Sequence, residues 1–308
     1  MNQRHPERMR GFAGWVVVMN IVTMSVSYAQ VVVEEVGREP FPGARAAAMG
    51  DACSADIPDA GMMFWNPGAL PMIERKSVIL DHYIESHTTI MDDALVTPIW
   101  VTPTDAIALS GNVSHIGYLT SDRITGIRAA QFEAGAAYSR VVVPGVGIGV
   151  KSTSRYISVN EEKTWTNSWT VGLAYNPSPE IGYGLVYSDL LYGARIQDSA
   201  ISVEQQLPRR LEMGITMRYP SNRKEHIFTL SLGNEKLFTE PGLIYKGGVE
   251  YCPAPFLALR WGYLAGPDIA EPRYGIGIKS PILNLDYAIA PSKNDVQFQR
   301  FTIAITLR

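Results

Sequence analysis

After its first thirty residues the sequence has no long uncharged apolar run, so we predict that the mature chain contains no membrane-spanning helix. It also lacks an excess of basic residues, because 27 Lys and Arg stand against 30 Asp and Glu, for a formal charge of −3. This balance argues against nucleic acid as a partner, since that binding needs a basic surface. Cysteine is scarce: Cys53 and Cys252 match no zinc or haem motif, and we favour two free thiols over a disulfide.

Motifs of catalytic, cofactor or metal sites are missing too. No serine lies in a nucleophile elbow, and the glycines at 145–149 are followed by no helix that would bind a dinucleotide. Tight packing or space in a lumen explains these glycines better. The histidines show no ligand spacing; they are His82, His87, His115 and His226, besides His5 near the N-terminus. We therefore predict a protein that is not an enzyme and that holds no cofactor or metal.

The N-terminus has the order of a secretory signal. Three arginines within the first ten residues precede an apolar run at 12–26, and Ala29 ends a small-residue cleavage site. We predict a signal peptide over residues 1–29, cleaved before Gln30. An uncleaved membrane anchor is the weaker alternative, because the run is short for a span.

Alternation of apolar with small, polar or charged residues dominates the rest of the chain. Residues 256–263, 283–290 and 301–308 each place one apolar face opposite a face of the other kind. The same pattern, with turn residues between, predicts about fourteen strands. They are 77–85, 94–101, 106–118, 130–142, 146–158, 165–175, 181–188, 209–219, 226–233, 243–251, 255–264, 273–279, 282–290 and 298–308.

This alternation fits either a half-buried soluble sheet or a membrane barrel with a polar lumen. The charged residues on the non-apolar face decide between them, because a dry core rarely accepts them; they are Glu212, Arg218, Arg260 and Asp286. No helices are encoded that would cover the apolar face of so large a sheet, so lipid must cover it. We predict an all-β, transmembrane antiparallel barrel over residues 76–308, with these four charges in its lumen.

The connections alternate between long and short along the chain. The longest is 189–208, whereas 102–104, 144–145 and 280–281 are tight. Outer-membrane barrels have short periplasmic turns and longer extracellular loops, so we predict an outer-membrane barrel with both termini in the periplasm.

Residues 30–75 differ from the strands and are predicted to form a separate N-terminal plug with a short helix. The motif Gly43-Ala-Arg45-Ala-Ala-Ala-Met49-Gly50, followed by Phe64-Trp65-Asn66-Pro67-Gly68-Ala69, resembles the N-terminal signature of PorV/PorQ-like proteins. These belong to the FadL-like fourteen-stranded outer-membrane group. There, an "Ala-Arg-x-x-x-Met-Gly" helix and a "Trp-Asn-Pro-Ala-Gly" turn form a plug within the barrel.

The resemblance implies that this plug consists of a helix and a turn within the lumen. Its signature residues are Gly43, Arg45, Met49, Gly50, Phe64, Trp65, Asn66 and Pro67. Phe64 and Trp65 either fill the lumen or touch a ligand, and Arg45 is a candidate partner for Glu212 or Asp286. The sequence departs from the family at the order Gly68-Ala69. It departs again at its terminal Arg308, where such barrels often end in an aromatic residue; Phe301 is the candidate substitute.

Two functions follow as hypotheses. As the resemblance implies, the first is a docking barrel in type IX secretion, which contacts outer-membrane lipid and binds secretion-system proteins or cargo domains through the 189–208 loop. The alternative is a FadL-like channel for small hydrophobic molecules. In it the plug gates the lumen, a pocket opens sideways to lipid, and residues 62–65 form a soft apolar cluster. A secreted soluble β-protein is the third possibility.

Overall fold

The fold is a closed antiparallel barrel of fourteen strands. The computed structural model describes residues 42–56, 58–73, 75–85, 90–116, 129–159, 162–190, 194–197, 202–205, 209–219, 228–267, 269–291 and 297–307. The predicted signal peptide and Arg308 lie outside these residues. The predicted fold class, an all-β barrel with short N-terminal helices, is confirmed.

Strands β1 to β7 and β10 to β16 form the barrel, and β8 and β9 form a separate two-stranded sheet. The first seven are β1 (Ser77–Glu85), β2 (Ile90–Val101), β3 (Asp105–Ile116), β4 (Ala129–Val143), β5 (Val146–Val159), β6 (Glu162–Ser178) and β7 (Ile181–Leu190). The others are β8 (Ala194–Gln197), β9 (Ser202–Gln205), β10 (Arg210–Tyr219), β11 (Phe228–Leu237), β12 (Ile244–Ala254), β13 (Leu257–Ala265), β14 (Ala270–Lys279), β15 (Leu283–Pro291) and β16 (Gln297–Thr306).

The β8–β9 hairpin lies within the predicted 189–208 loop, and the sequence analysis missed it. Each of its strands has only 4 residues, too few for alternation to stand out from a loop. A second difference concerns β5 and β6, whose ladder runs to the pair Val159↔Glu162. Residues 159–164, predicted as a moderate loop, therefore belong largely to the two strands. Two long neighbouring strands continue to form hydrogen bonds with each other beyond the alternating residues. A pattern read along one strand cannot detect this pairing.

The outer face of the barrel carries large apolar side chains. Leu173, Leu185 and Leu232 are exposed there, while Thr170 on β6 and Ser231 on β11, at positions of the opposite parity, are buried towards the lumen. Aromatic rings meet across strands on the outer face near the short turns, in the stacked pairs Tyr175–Tyr183 and Phe228–Tyr251. This distribution, apolar outside and polar inside, is typical of membrane barrels and matches the predicted faces.

Three short helical elements precede the barrel and pack inside it. They are α1 (Ala44–Ala48), α2 (Met62–Trp65) and a 3₁₀ helix (Pro67–Met72). Helix α1 lies against β13 to β16, the 3₁₀ helix lies against β3 to β6, and α2 packs on the 3₁₀ helix. The segment 42–73, hereafter the plug, therefore reaches across the lumen between opposite walls. None of the helices in the described residues combines the length and apolar character needed to cross a membrane.

Introducing a charge on the outer face tests the membrane-facing assignment. We expect Leu232→Arg, near the middle of β11, to lower the free energy of unfolding by about 2–4 kcal/mol, because arginine is costly at the bilayer midplane. The measurement is guanidinium unfolding of the protein in lipid vesicles. Leu243→Arg, which lies just before β12 outside the strands, is the matched control and should change little. Equal effects at both positions would contradict the assignment.

Candidate functional site

Helix α1 is fixed at both ends by glycines in backbone conformations that other residues rarely adopt. Gly43 precedes the helix with φ 122°, and Gly50 follows it with φ 64°. The Gly43 N–H donates to Asp81 Oδ1 at 3.1 Å, and the Ala44 N–H donates to Thr302 Oγ1 at 2.6 Å. Asp81 and Thr302 face each other on β1 and β16. The helix therefore starts on the two strands that close the barrel. The positive φ angles give a physical reason for glycine at positions 43 and 50.

The plug backbone lies directly on the barrel wall where the wall has glycines. A Cβ on Gly68 would come within 2.6 Å of the Gly172 carbonyl oxygen and 2.8 Å of the Gly147 carbonyl oxygen. The order Gly68-Ala69 thus places the smallest residue at this contact. Other wall glycines touch the plug backbone in the same way; they are Gly149, Gly184, Gly248 and Gly262. Gly147 and Gly149 therefore serve tight packing, one of the two alternatives that the sequence left open, whereas Gly145 lies in the turn between β4 and β5 with φ 79°.

Asn66 connects the plug internally and to the wall. Its side-chain amide donates to the Ser54 carbonyl at 2.7 Å and to the Leu173 carbonyl on β6 at 2.9 Å. Its Oδ1 accepts from the Gly68 N–H at 3.0 Å and so caps the 3₁₀ helix that begins at Pro67. With 0% exposure and both amide atoms bonded, this side chain fixes the turn in place.

The apolar residues of the plug form its core. Met49, Met62, Met63, Phe64 and Trp65 are all buried. The Trp65 indole N–H donates to the Pro42 carbonyl at 3.2 Å. Lys151 Nζ lies 4.7 Å from the centre of the Phe64 ring, and Lys246 Nζ lies 5.9 Å from the Trp65 ring. Both rings thus fill the lumen and touch its charged lining.

An ion-pair network joins the plug to the wall, and it differs from the predicted pairing of Arg45. Arg45 bonds to Asp56 of the plug and, through Nε at 3.0 Å, to Glu250 of β12. Arg218 Nη2 reaches Asp56 at 2.8 Å. Burial alone would raise the pKa of Asp56, but the guanidinium groups of Arg45 and Arg218 outweigh it and lower this pKa to about 2. Asp56 is therefore ionised and joins two cations.

The predicted partners of Arg45 have other cations instead. Asp286 accepts from Arg260 Nη1 at 2.6 Å, and Arg260 Nε donates to Glu250 at 2.6 Å. Glu212 lies 2.9 Å from Lys246 Nζ, which also contacts Glu235 at 2.6 Å. The alternation of side chains along each strand predicted that these charges face the lumen. The same alternation places Lys246 and Glu250 on that face, so the sequence could have identified them as well.

A second group of buried charges lies on β4 and β5. Arg155 Nε donates to Glu133 at 2.8 Å, and Arg155 Nη1 donates to Ser168 at 3.0 Å. Arg155 is 0% exposed and Glu133 is 1% exposed. Because a buried charge without a partner is costly, pairing is what allows these residues inside the barrel.

Two cavities lie along the barrel wall, one on its inner face and one on its outer face. A small enclosed one, of about 30 Å³, lies between the plug and β1, β15 and β16, beside Asp59 and Trp65. A larger one of about 400 Å³ lies on the outer face across β16 and β1 to β4. We name the latter the side groove; its apolar lining is Leu80, Leu95, Val113, Phe132, Phe301 and Ile303.

The two cysteines and the possible metal ligands were compared with the sites predicted from the sequence, within the residues that the structure describes. Cys53 and Cys252 are both free thiols, and burial raises the pKa of the Cys53 thiol well above its ordinary value. This thiol therefore stays protonated. Within the ranges that the structure describes, no group of His, Cys, Asp and Glu is arranged to hold a metal ion.

Removing Arg45 should loosen the plug. We expect Arg45→Ala to lower the free energy of unfolding by about 3 kcal/mol, at the low end for a broken buried pair, because Asp56 keeps Arg218 and Glu250 keeps Arg260. Guanidinium unfolding in detergent micelles measures this change. Arg140→Ala is the control: its guanidinium lies 3.6 Å from Asp105 on the surface, and its loss should matter little. An Arg45→Ala protein as stable as Arg140→Ala would refute this role of the network.

Asp59 should make the plug sensitive to pH. Burial raises its pKa from 3.8 to about 6, and the Gly61 N–H, which donates at 2.9 Å, opposes this only in part. Among nearby charges Arg45 also lowers this pKa, whereas Asp286 and Asp56 raise it. Because the folded pKa is above the unfolded one, the contribution of Asp59 to stability is greatest below pH 3.8 and is lost as the pH rises through 6.

We therefore expect Asp59→Asn to flatten the pH dependence of plug stability between pH 4 and 7, with the largest gain over the natural protein near neutral pH. Hydrogen exchange of the plug amides across this range is the measurement. Parallel curves for both proteins would show that Asp59 does not titrate in this window.

No protein-family model matches the chain, and no curated protein matches its sequence either. Solved structures do match its fold. The toluene transporter TbuX of Ralstonia pickettii aligns with a TM-score of 0.59 and 13% identity, over 85% of this chain and 96% of that one. The toluene transporter TodX of Pseudomonas putida aligns with a TM-score of 0.63 and 11% identity, over 85% and 96%.

A FadL homologue from Pseudomonas aeruginosa aligns with a TM-score of 0.54 and 11% identity, over 86% of this chain and 98% of that one. The narrower resemblance to PorV/PorQ proteins stays a prediction. At these identities the likeness concerns the fold, and this chain has the fold of the FadL-like fourteen-stranded outer-membrane barrels.

Proposed function

We propose that this protein is an outer-membrane channel for small hydrophobic molecules, with both termini in the periplasm. The observation that carries the proposal is the pairing of a plug that crosses the lumen with a side groove on the lipid-facing wall. A solute that enters the lumen meets the plug on its way along the barrel axis. A path sideways into lipid suits apolar molecules, because the bilayer interior accepts them and rejects ions.

The size and lining of the side groove support this function. Its volume of about 400 Å³ lies within the range of small-molecule sites, and six large apolar side chains line it. The likeness to transporters of toluene supports the same class of cargo. The plug then prevents polar solutes from leaking, while its ion pairs hold it in position.

Filling the side groove tests the proposal. Gly111 lines it, and a Cβ at this position has open space, since its nearest neighbour, the Glu133 carbonyl oxygen, lies 4.0 Å away. We expect cells that make the natural protein to take up labelled toluene faster than cells without it, and Gly111→Leu to reduce this gain severalfold.

Gly247→Leu is the matched control, because it adds the same side chain at ordinary contact distance, 3.6 Å from Leu232, on the other side of the barrel. Heat-modifiable migration in gels establishes that both variants fold. Uptake that is independent of the protein would disprove the channel, and equal uptake by both variants would disprove the role of the side groove.

Docking in protein secretion is the second candidate. The feature that favours it is the firm attachment of the plug by the wall glycines and the Asp56 network. A channel must release its plug to let a solute pass, whereas a docking barrel can keep its plug fixed. In that case, deletion of the gene would remove cargo proteins from the cell surface and leave toluene uptake unchanged.

A further inference from the structure

An ionisable pair lies on the outer face of the barrel, among the apolar side chains that face lipid. His82 on β1 and Asp93 on β2 face each other across the ladder, and His82 Nδ1 lies 2.7 Å from Asp93 Oδ1. Their side chains remain 44% and 62% exposed. Because hydrocarbon solvates ionisable groups poorly, such groups are rare on a lipid-facing surface, and this pair calls for a function.

The strand register surrounds this pair with apolar residues. Its neighbours on the same face, along the strands and across them, are Ile84, Met91, Leu80, Leu95, Phe301 and Val113. Ile84 and Met91 lie between the pair and the strand ends at Glu85 and Ile90. The pair therefore lies within the apolar face and not at its border.

Both members of the pair line the side groove. Two other polar residues border this cavity, Asp81 and Asn112, but they occupy the alternate positions of their strands and are buried towards the lumen. The side chains of His82 and Asp93 are on the outer face, as the groove is. An occupant of the groove can thus reach the pair without crossing the barrel wall.

Aromatic rings bound the side groove on either side of the pair. Phe301 on β16, His82, Asp93, Val113 on β3 and Phe132 on β4 form one continuous row of cross-strand partners. Both phenylalanine rings are exposed on the outer face. The groove therefore combines aromatic and aliphatic walls with a single polar point.

Asp93 orients the imidazole ring of His82. A carboxylate oxygen can only accept, so Nδ1 donates to it and Nε2 is left for a second partner. Within the part of the chain that the structure describes, Nε2 makes no hydrogen bond. A neutral imidazole accepts at Nε2 and a protonated one donates there. A hydroxyl group does both, so it matches Nε2 in either state.

We propose that the His82–Asp93 pair is the polar end of the side groove and selects small aromatic cargo that carries a hydroxyl group. The ring of the cargo packs on the apolar walls, and its hydroxyl group bonds to His82 Nε2. This inference rests on the proposed channel function. It narrows the cargo from bare hydrocarbons to phenol-like molecules.

The test compares two probes that differ by one hydroxyl group, toluene and p-cresol. Equilibrium dialysis of each labelled probe against the full chain in detergent micelles, corrected for protein-free micelles, gives the two affinities. We expect His82→Phe, which keeps a ring but no nitrogen, to lower the affinity for p-cresol about 3- to 10-fold, as the loss of one hydrogen bond does. The affinity for toluene should stay the same. Asp93→Leu should weaken p-cresol binding to a smaller extent, because His82 then loses the group that orients its ring.

His115→Phe is the matched control. His115 is exposed on the outer face of β3, opposite Met91, and it is not part of the groove lining, so its loss should change neither affinity. Heat-modifiable migration in gels establishes folding. If His82→Phe fails to fold because Asp93 has lost its partner, the double variant with Asp93→Leu replaces it and leaves no unpaired charge.

Two results would overturn the subsite. The first is an equal fall in the affinities for p-cresol and toluene, and the second is no change in either. Both would mean that the groove holds only apolar occupants, such as a lipid acyl chain.

Uptake by cells separates this inference from the channel itself. If the protein increases toluene uptake and His82→Phe alters the uptake of toluene and p-cresol equally, the channel stands and the subsite is rejected. If the protein increases the uptake of neither molecule, the channel is wrong and the proposed cargo is rejected with it.

Discussion

The pairing of β1 with β16 is the constraint on which the rest of the structure depends. Their ladder runs from Ser77↔Thr306 to Glu85↔Phe298 and closes the sheet on itself. In a bilayer each unpaired backbone N–H or C=O costs several kcal/mol, because no water replaces the missing bond. Closure satisfies the edges of both strands at once. It also creates an interior that the chain must then fill.

Filling that interior explains the plug. Wall side chains fill a barrel of eight strands, but fourteen strands enclose a wider space. Helix α1 starts on Asp81 and Thr302, so the closing strands also position the plug. Wall glycines let its backbone approach, and the charges that face inward are paired with one another. The ion pair of Arg45 with Glu250 extends this network from plug to wall.

The proposed transport depends on the part of the barrel wall that the plug does not cover. The side groove crosses the outer face of β16 and β1 to β4, whereas the Asp56 network joins the plug to β10 and β12. The plug supports the inner face of the barrel wall, and the side groove leaves an apolar concavity on the outer face. The proposed cargo, a small hydrophobic molecule, suits that concavity.

The sequence by itself determined which residues face lipid and which face the lumen, because side chains alternate along every strand whatever its neighbours are. It thus placed Glu212, Arg218, Arg260 and Asp286 inside and predicted the number of strands. Only the tertiary structure decided the partners of these charges and of Arg45. The alternation along a strand tells which face a residue lies on, but not its position along the barrel axis or around the barrel. Those positions depend on the register of all fourteen strands together.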